Sequence, residues 1–196
     1  MRAWFAWSLL ALVSWGIWAV MGRVIGNALS ASQSQALSTL GMLPIIAILP
    51  LLGKREPARN PRKGTFVALA AGILSCLGNV TFYDVLNRGE KAATVVPLTA
   101  MYPLVTIVLA VLLLRERLNR FQLGGIALSL AAIYVLNVSS VSGAFNPWLL
   151  YALLPIAFWG ITGFLQKLST DDIPGERSTL WFLVAFIPAA RLAGLL

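Results

Sequence analysis

The polar side chains best placed to do chemistry lie inside stretches that are otherwise apolar. Asp84 is the only carboxylate that falls within a hydrocarbon-compatible stretch, where such a group by default binds a proton or a cation. Asn79 and Tyr83 stand just before it, four apart and so on one helical face. Thr99, Tyr102 and Thr106 follow at i, i+3 and i+7, again one face, in a stretch carrying Pro97 and Pro103. Each proline lacks an N–H, so the carbonyls of Ala93 and Thr99 lose their helical partners. In lipid a freed carbonyl must face protein or a watery cavity, so a polar stripe on this interrupted helix reads as a pocket wall. The plainer alternative is that the threonines bond back to their own helix and the prolines only bend it. Asp84 likewise precedes Arg88 by four residues, the favourable order for an ordinary ion pair along a helix.

Aromatic residues form a second set. Trp15 and Trp18 lie deep in the first apolar stretch, where they either stack on a bound molecule or fill the bundle, whereas Trp4 sits where an interfacial anchor would. Thr162 shares a stripe with Tyr151 and Gln166 in a stretch near the other end, interrupted by Pro155. Histidine is absent, which removes imidazole acid–base chemistry and most zinc sites. The single cysteine, Cys76, reads as a small buried hydrophobe. Asp171 and Asp172 are the only adjacent acids, and neighbours in sequence diverge in direction, so no metal centre, enzyme active site or cofactor is expected.

The chain that must position these groups is 59% hydrophobic and 11% charged, with a mean hydropathy of +0.82. A soluble domain carries about 25% charge, so the composition specifies an all-α integral membrane protein. A spanning helix needs roughly 20 apolar residues. Seven stretches qualify: 4–25, 32–52, 65–87, 92–114, 121–138, 148–168 and 178–196. Asn119 is placed to cap the fifth, and Asn146-Pro147 to open the sixth. Ala28-Leu29-Ser30 has the look of a signal-peptide cleavage site, but the preceding apolar run is long and recurs late in the chain, so the first stretch reads as a retained helix.

Lysine and arginine are distributed unevenly. With the N-terminus inside, Arg2, the 54–63 loop, Arg115, Arg117, Arg120, Lys167 and Arg177 lie on the inner side. Only Arg23, Arg88, Lys91 and Arg191 lie outside. The bias places the N-terminus in the cytoplasm and accounts for the net charge of +8. The basic loop GKREPARNPRKG would face anionic lipid, and no nucleic-acid partner is implied.

One stretch occurs twice. SWGIWAVMGR (Ser14–Arg23) and FWGITGFLQK (Phe158–Lys167) share Trp-Gly-Ile and a cation eight residues after the Trp. Ser38-Thr39-Leu40 recurs in the same order as Ser178-Thr179-Leu180. The sixth and seventh stretches therefore repeat the first and second, and the unit holds five helices. Five is odd, so the second copy enters the membrane from the opposite face. Inverted repeats of this kind place a site near the bilayer midplane, between halves that rock to give alternating access. The repeat thus points to a secondary transporter of a small-molecule solute rather than to a seven-helix receptor.

The segment ATVVPLTAMYPLVTIVLAVLLLRERLNRFQLGGIALSLAAIYVLNV, from Ala93 onward, closely resembles the end of an EamA domain, the repeat unit of the drug/metabolite transporter superfamily. The family shows there a proline-bearing helix, a Gly-Glu-Arg-Leu-like turn and a Gly-rich helix. Here the turn reads Arg115-Glu116-Arg117-Leu118, with arginine where glycine is usual. The resemblance takes residues 3–138 as one full unit and 148–196 as the first two helices of an inverted second. It implies a carrier of ten helices for small metabolites or drugs in a bacterial-type inner membrane. Against that pattern three helices are lacking, so the sequence is a piece of a longer one, or the gene is truncated, or a partner completes the bundle; without completion the expectation is a chain that transports nothing. A homodimer is one such completion, and Gly125 and Ser129 offer a small-x-x-x-small face for helix packing.

Overall fold

The computed structural model describes residues 3–25, 28–52, 56–88, 92–138 and 147–188. The described residues form helices joined by short turns, with no strand among them, a polytopic bundle: α1 (Ala3–Ile25), α2 (Ala31–Leu52), α3 (Pro61–Asn87), α4 (Ala92–Thr99), α5 (Tyr102–Leu114), α6 (Arg120–Val138), α7 (Pro147–Asp172) and α8 (Gly175–Val184). By length and hydropathy, α1, α2, α3 and the combined α4–α5 stretch are able to cross a membrane. The basic residues Arg2, Lys54, Arg55, Lys91 and Arg191 lie outside the described residues, as does Asn146.

Local sequence explains where the helices start. Ser30 and Gln33 cap α2 reciprocally: the Gln33 N–H donates to Ser30 Oγ at 3.2 Å and the Ser30 N–H to Gln33 Oε1 at 2.9 Å. Asn119 and Gln122 repeat the device at α6, with both bonds at 2.8 Å. Asn60 accepts from the Lys63 N–H at 3.2 Å while Pro61 occupies the first turn, so α3 begins four residues before the apolar stretch does.

The fourth expected span is broken. Pro103 cannot donate to the carbonyl of Thr99, and the chain turns at Ala100–Met101, where the Met101 N–H bonds back three residues to Leu98 at 3.1 Å. Thr99 therefore belongs to α4, whereas Tyr102 and Thr106 belong to α5. At the far end of α5, Arg115 adopts the left-handed conformation at φ 55° and ψ 32°, and its N–H bonds Ala110.

Helix α3 is the centre of the bundle. Gly64, Ala68, Ala71, Gly72, Ser75 and Gly78 run along it at helical spacing and are buried. This small-residue stripe brings backbones close: α7 lies along it, α8 crosses it where the Phe182 carbonyl meets Gly72, and α2 packs on its flank. Side-chain hydrogen bonds stitch these contacts. Thr162 donates to the Ala71 carbonyl at 3.1 Å, Ser169 to Gly64 at 2.9 Å, and Ser178 to Ser169 at 2.9 Å. Lys63 and Asp172 form an ion pair at 2.8 Å that joins the start of α3 to the end of α7.

Helices α1 and α6 lie at the periphery. Trp7 is 69% exposed and Phe121 93% exposed. Apolar surface of this extent is what lipid or further protein covers. The Gly125–Ser129 face of α6 meets no other helix closely: nothing lies within 4 Å of a Cβ built on Gly125, and Ser129 bonds back to the Gly125 carbonyl at 2.9 Å.

Candidate solute site

An aromatic cluster forms where α1, α3, α5 and α7 converge. Trp18 of α1 stacks on Phe82 of α3, with ring centres 5.2 Å apart and planes 20° apart. The ring of Tyr83 lies 5.6 Å from Trp18. Trp159 of α7 completes the group, at 5.4 Å from Phe82, 6.1 Å from Trp18 and 6.0 Å from Tyr102. Trp15 reaches the same Tyr102 from α1, at 5.9 Å. Stacked, tilted and edge-on arrangements at these separations are the favourable ones for aromatic pairs. Each tryptophan of the two Trp-Gly-Ile motifs thus contacts Tyr102, at the start of the helix that the proline break creates.

Each polar residue singled out in the sequence has a defined place. The Asn79 Oδ1 accepts a 3.1 Å bond from Trp159 Nε1, across the α3–α7 interface. Tyr83, buried, exchanges a 3.0 Å bond with Ser38 of α2. Thr106 donates to the carbonyl of Gly160 at 2.8 Å, and Thr162 to that of Ala71. Thr99 is buried and bonds back to Val95 and Val96 of its own helix. Asp84 stands apart from the cluster's interior. Its carboxylate is 45% exposed and paired with Arg88 at 2.9 Å, and the Arg88 guanidinium lies 4.3 Å over the ring of Tyr151 on α7. A cation over an aromatic face is attractive, so Arg88 bridges the end of α3 to the first turns of α7.

The cluster is uncharged and closely packed, with Phe82 and Tyr83 buried. Its polar groups are one phenol held by Ser38, one phenol at the helix break and one carboxamide. Aromatic rings and a few polar groups are the chemistry by which flat or apolar molecules are held through stacking and area.

Two members of the cluster are not signalled as such by the sequence. Trp159 stands out there as part of the repeated Trp-Gly-Ile, although its spacing to Thr162 puts both on one helical face. Phe82 carries no signal of its own in an apolar stretch. Gly78 is the signal that connects them: a side chain there would strike the Trp159 indole, 2.5 Å from Nε1. A glycine one residue before Asn79 in an apolar helix marks a close approach.

Comparison with known proteins is consistent over the first five spans. Residues 2–138 match the EamA-like transporter family. Protein RarD of Streptomyces exfoliatus is 32% identical over 136 residues, which is 69% of this chain and 40% of that protein. An uncharacterised protein of Methanocaldococcus jannaschii is 27% identical over 132 residues, covering 67% of this chain and 94% of its own length. No solved structure matches.

Proposed function

The chain belongs to the EamA-like transporter family, and from that membership we propose that it forms part of a secondary carrier moving small solutes by alternating access. The observation that carries this reading is the meeting of Trp15 and Trp159 on Tyr102. The two tryptophans come from matching motifs in units of opposite orientation, and Tyr102 begins the half-helix that follows the break. A site shared between inverted units and lined by an interrupted helix is the arrangement from which rocking exposes one solute to either side in turn.

The solute is one with a flat or apolar body, held between Trp15, Trp18, Tyr102 and Trp159, and oriented by Asn79 and Tyr83. Thr106 and Thr162 serve the site by tying α7 to α5 and α3, and Thr99 by satisfying α4 next to the break. The N-terminus faces the cytoplasm of an inner membrane, as the distribution of lysine and arginine supports. The open face of α1 is completed by further helices, from a longer chain or from a second copy. That a relative of about one unit's length matches over 94% of itself supports assembly from separate units.

Reconstitution of the completed assembly, as a dimer or as a longer chain carrying the further helices, into liposomes with flux of planar aromatic solutes tests the reading. Uptake above that of empty liposomes is expected, lowered at least tenfold by Tyr102→Ala or Trp18→Ala with retained helicity. Flux equal to that of empty liposomes, or flux indifferent to both substitutions, would overturn it.

A further inference from the structure

A groove separate from the aromatic cluster lies between the broken fourth span and α6. Its volume is about 340 Å³, and one side is open. Helix α6 packs on α4 more than on α5, and the groove is lined from α6 and from the break and start of α5. Its floor is Met101, Leu104 and Ile107, and its α6 wall is Gln122, Ile126 and Ser129, which share one helical face. The polar groups of the wall are engaged: Gln122 with the Asn119 backbone, and Ser129 with the Gly125 carbonyl. The rest of the lining is mostly apolar.

The turn that the lining reaches differs in character. Leu118, at one end of the lining, belongs to the turn Arg115-Glu116-Arg117-Leu118-Asn119-Arg120. Arg117 and Arg120 flank it and are exposed. The turn's single acid, Glu116, lies near enough to Lys167 of α7 to interact with its charge. An apolar slot whose lining reaches Leu118, in a turn with Arg117 and Arg120 exposed on either side of it, is complementary in a lipid-embedded chain to a molecule with an acyl chain and an anionic head.

We propose that the α5–α6 groove binds one anionic phospholipid, with an acyl chain along Met101, Leu104 and Ile126 and its phosphate beside Arg117 and Arg120. Basic residues at a membrane surface each contribute about 1 kcal/mol to anionic lipid attraction, so removing two weakens binding on the order of 30-fold. The hydrocarbon part of the contact is indifferent to head-group charge.

The test is retention of lipid by the full 196-residue chain. The protein in mild detergent is titrated with phosphatidylglycerol or phosphatidylcholine, and bound lipid is counted by native mass spectrometry. The expected result is one retained phosphatidylglycerol, with phosphatidylcholine weaker by more than tenfold. Arg117→Gln with Arg120→Gln should remove most of that preference, while Gly125→Leu, which fills the groove, should lower retention of both lipids. Circular dichroism identifies any variant that has unfolded, and Ile126→Phe then serves as a second groove-filling change. Equal retention of the two lipids, or a preference untouched by the arginine changes, overturns the proposal. It is also overturned if Gly125→Leu abolishes a dimer peak while leaving lipid bound, since the face then belongs to a second copy.

Discussion

Thr106 Oγ1 donates a 2.8 Å hydrogen bond to the carbonyl of Gly160, and this contact fixes how α5 seats on α7. It is possible because Gly160 has no side chain: a Cβ there would collide with Val105 and with the Tyr102 carbonyl. Gly16 holds the same place in the other Trp-Gly-Ile motif, yet a Cβ built on it meets nothing within 4 Å. One motif is packed as a helix-docking notch, and its counterpart is open.

Gly160→Ala and Gly16→Ala should therefore have opposite effects. At Gly160 the added methyl forces α5 away and costs about 1–3 kcal/mol. At Gly16 it meets only open space and improves helix propensity, a gain of up to about 1 kcal/mol. Unfolding by titration with denaturing detergent, followed by circular dichroism, measures both. Equal destabilisation by the two changes would refute the packing described.

Much of the fold was legible because the bilayer simplifies the problem. Runs of apolar residues set the spans at 4–25, 32–52 and 92–114 within a residue or two of the helical stretches observed. The cap at Asn119 and the start of a helix at Pro147 lie where the sequence placed them. The break at Ala100–Met101 was less legible. Two prolines signal strain in a helix, but whether the chain bends or breaks depends on whether a tighter turn can satisfy the freed groups, as the bond from Met101 to Leu98 does. The site was legible in part. Polar residues in an apolar helix attract notice, whereas Trp159 and Phe82 look like any core aromatics until folding brings them together. Helical period alone could not distinguish Thr99, which turns back on its own helix, from Thr106, which reaches across to another.

Arg115 offers a stabilising change. It ends α5 in the left-handed region at φ 55°, a conformation that a side chain disfavours and glycine adopts freely. This is the position at which the family's turn usually has glycine. Arg115→Gly should raise stability by about 1 kcal/mol, read as a higher detergent concentration at the unfolding midpoint. No change or a loss would mean that the arginine side chain makes a compensating contact.

Asp84 separates two readings of an intramembrane acid. As an exposed partner of Arg88, it is worth a few tenths of a kcal/mol, since solvent screens such pairs. Asp84→Asn should then leave stability nearly unchanged and leave the pH dependence of solute flux as in the parent. A proton-coupling carboxylate would behave differently: its replacement would abolish flux driven by a pH gradient while sparing exchange. Measuring flux with and without the gradient decides between them.

The bond from Trp159 Nε1 to Asn79 Oδ1 joins α7 to α3 inside the aromatic cluster. Trp159→Phe keeps most of the apolar area but removes the donor, leaving the Asn79 carboxamide short of a partner. Asn79→Leu leaves the indole N–H unpaired. Hydrogen bonds between helices in a membrane average about 0.6 kcal/mol in double-mutant cycles, with a maximum near 1.7. A cycle on Asn79→Leu and Trp159→Phe should give a coupling in that range, because each single change already forfeits the bond and the second adds little. A coupling near zero would show that the two residues contribute independently, as neighbours rather than as partners. Solute affinity provides a second reading. If Asn79 orients the solute as well as holding Trp159, Asn79→Leu should weaken binding by more than Trp159→Phe does for solutes that carry a hydrogen-bonding group, and equally for those that carry none.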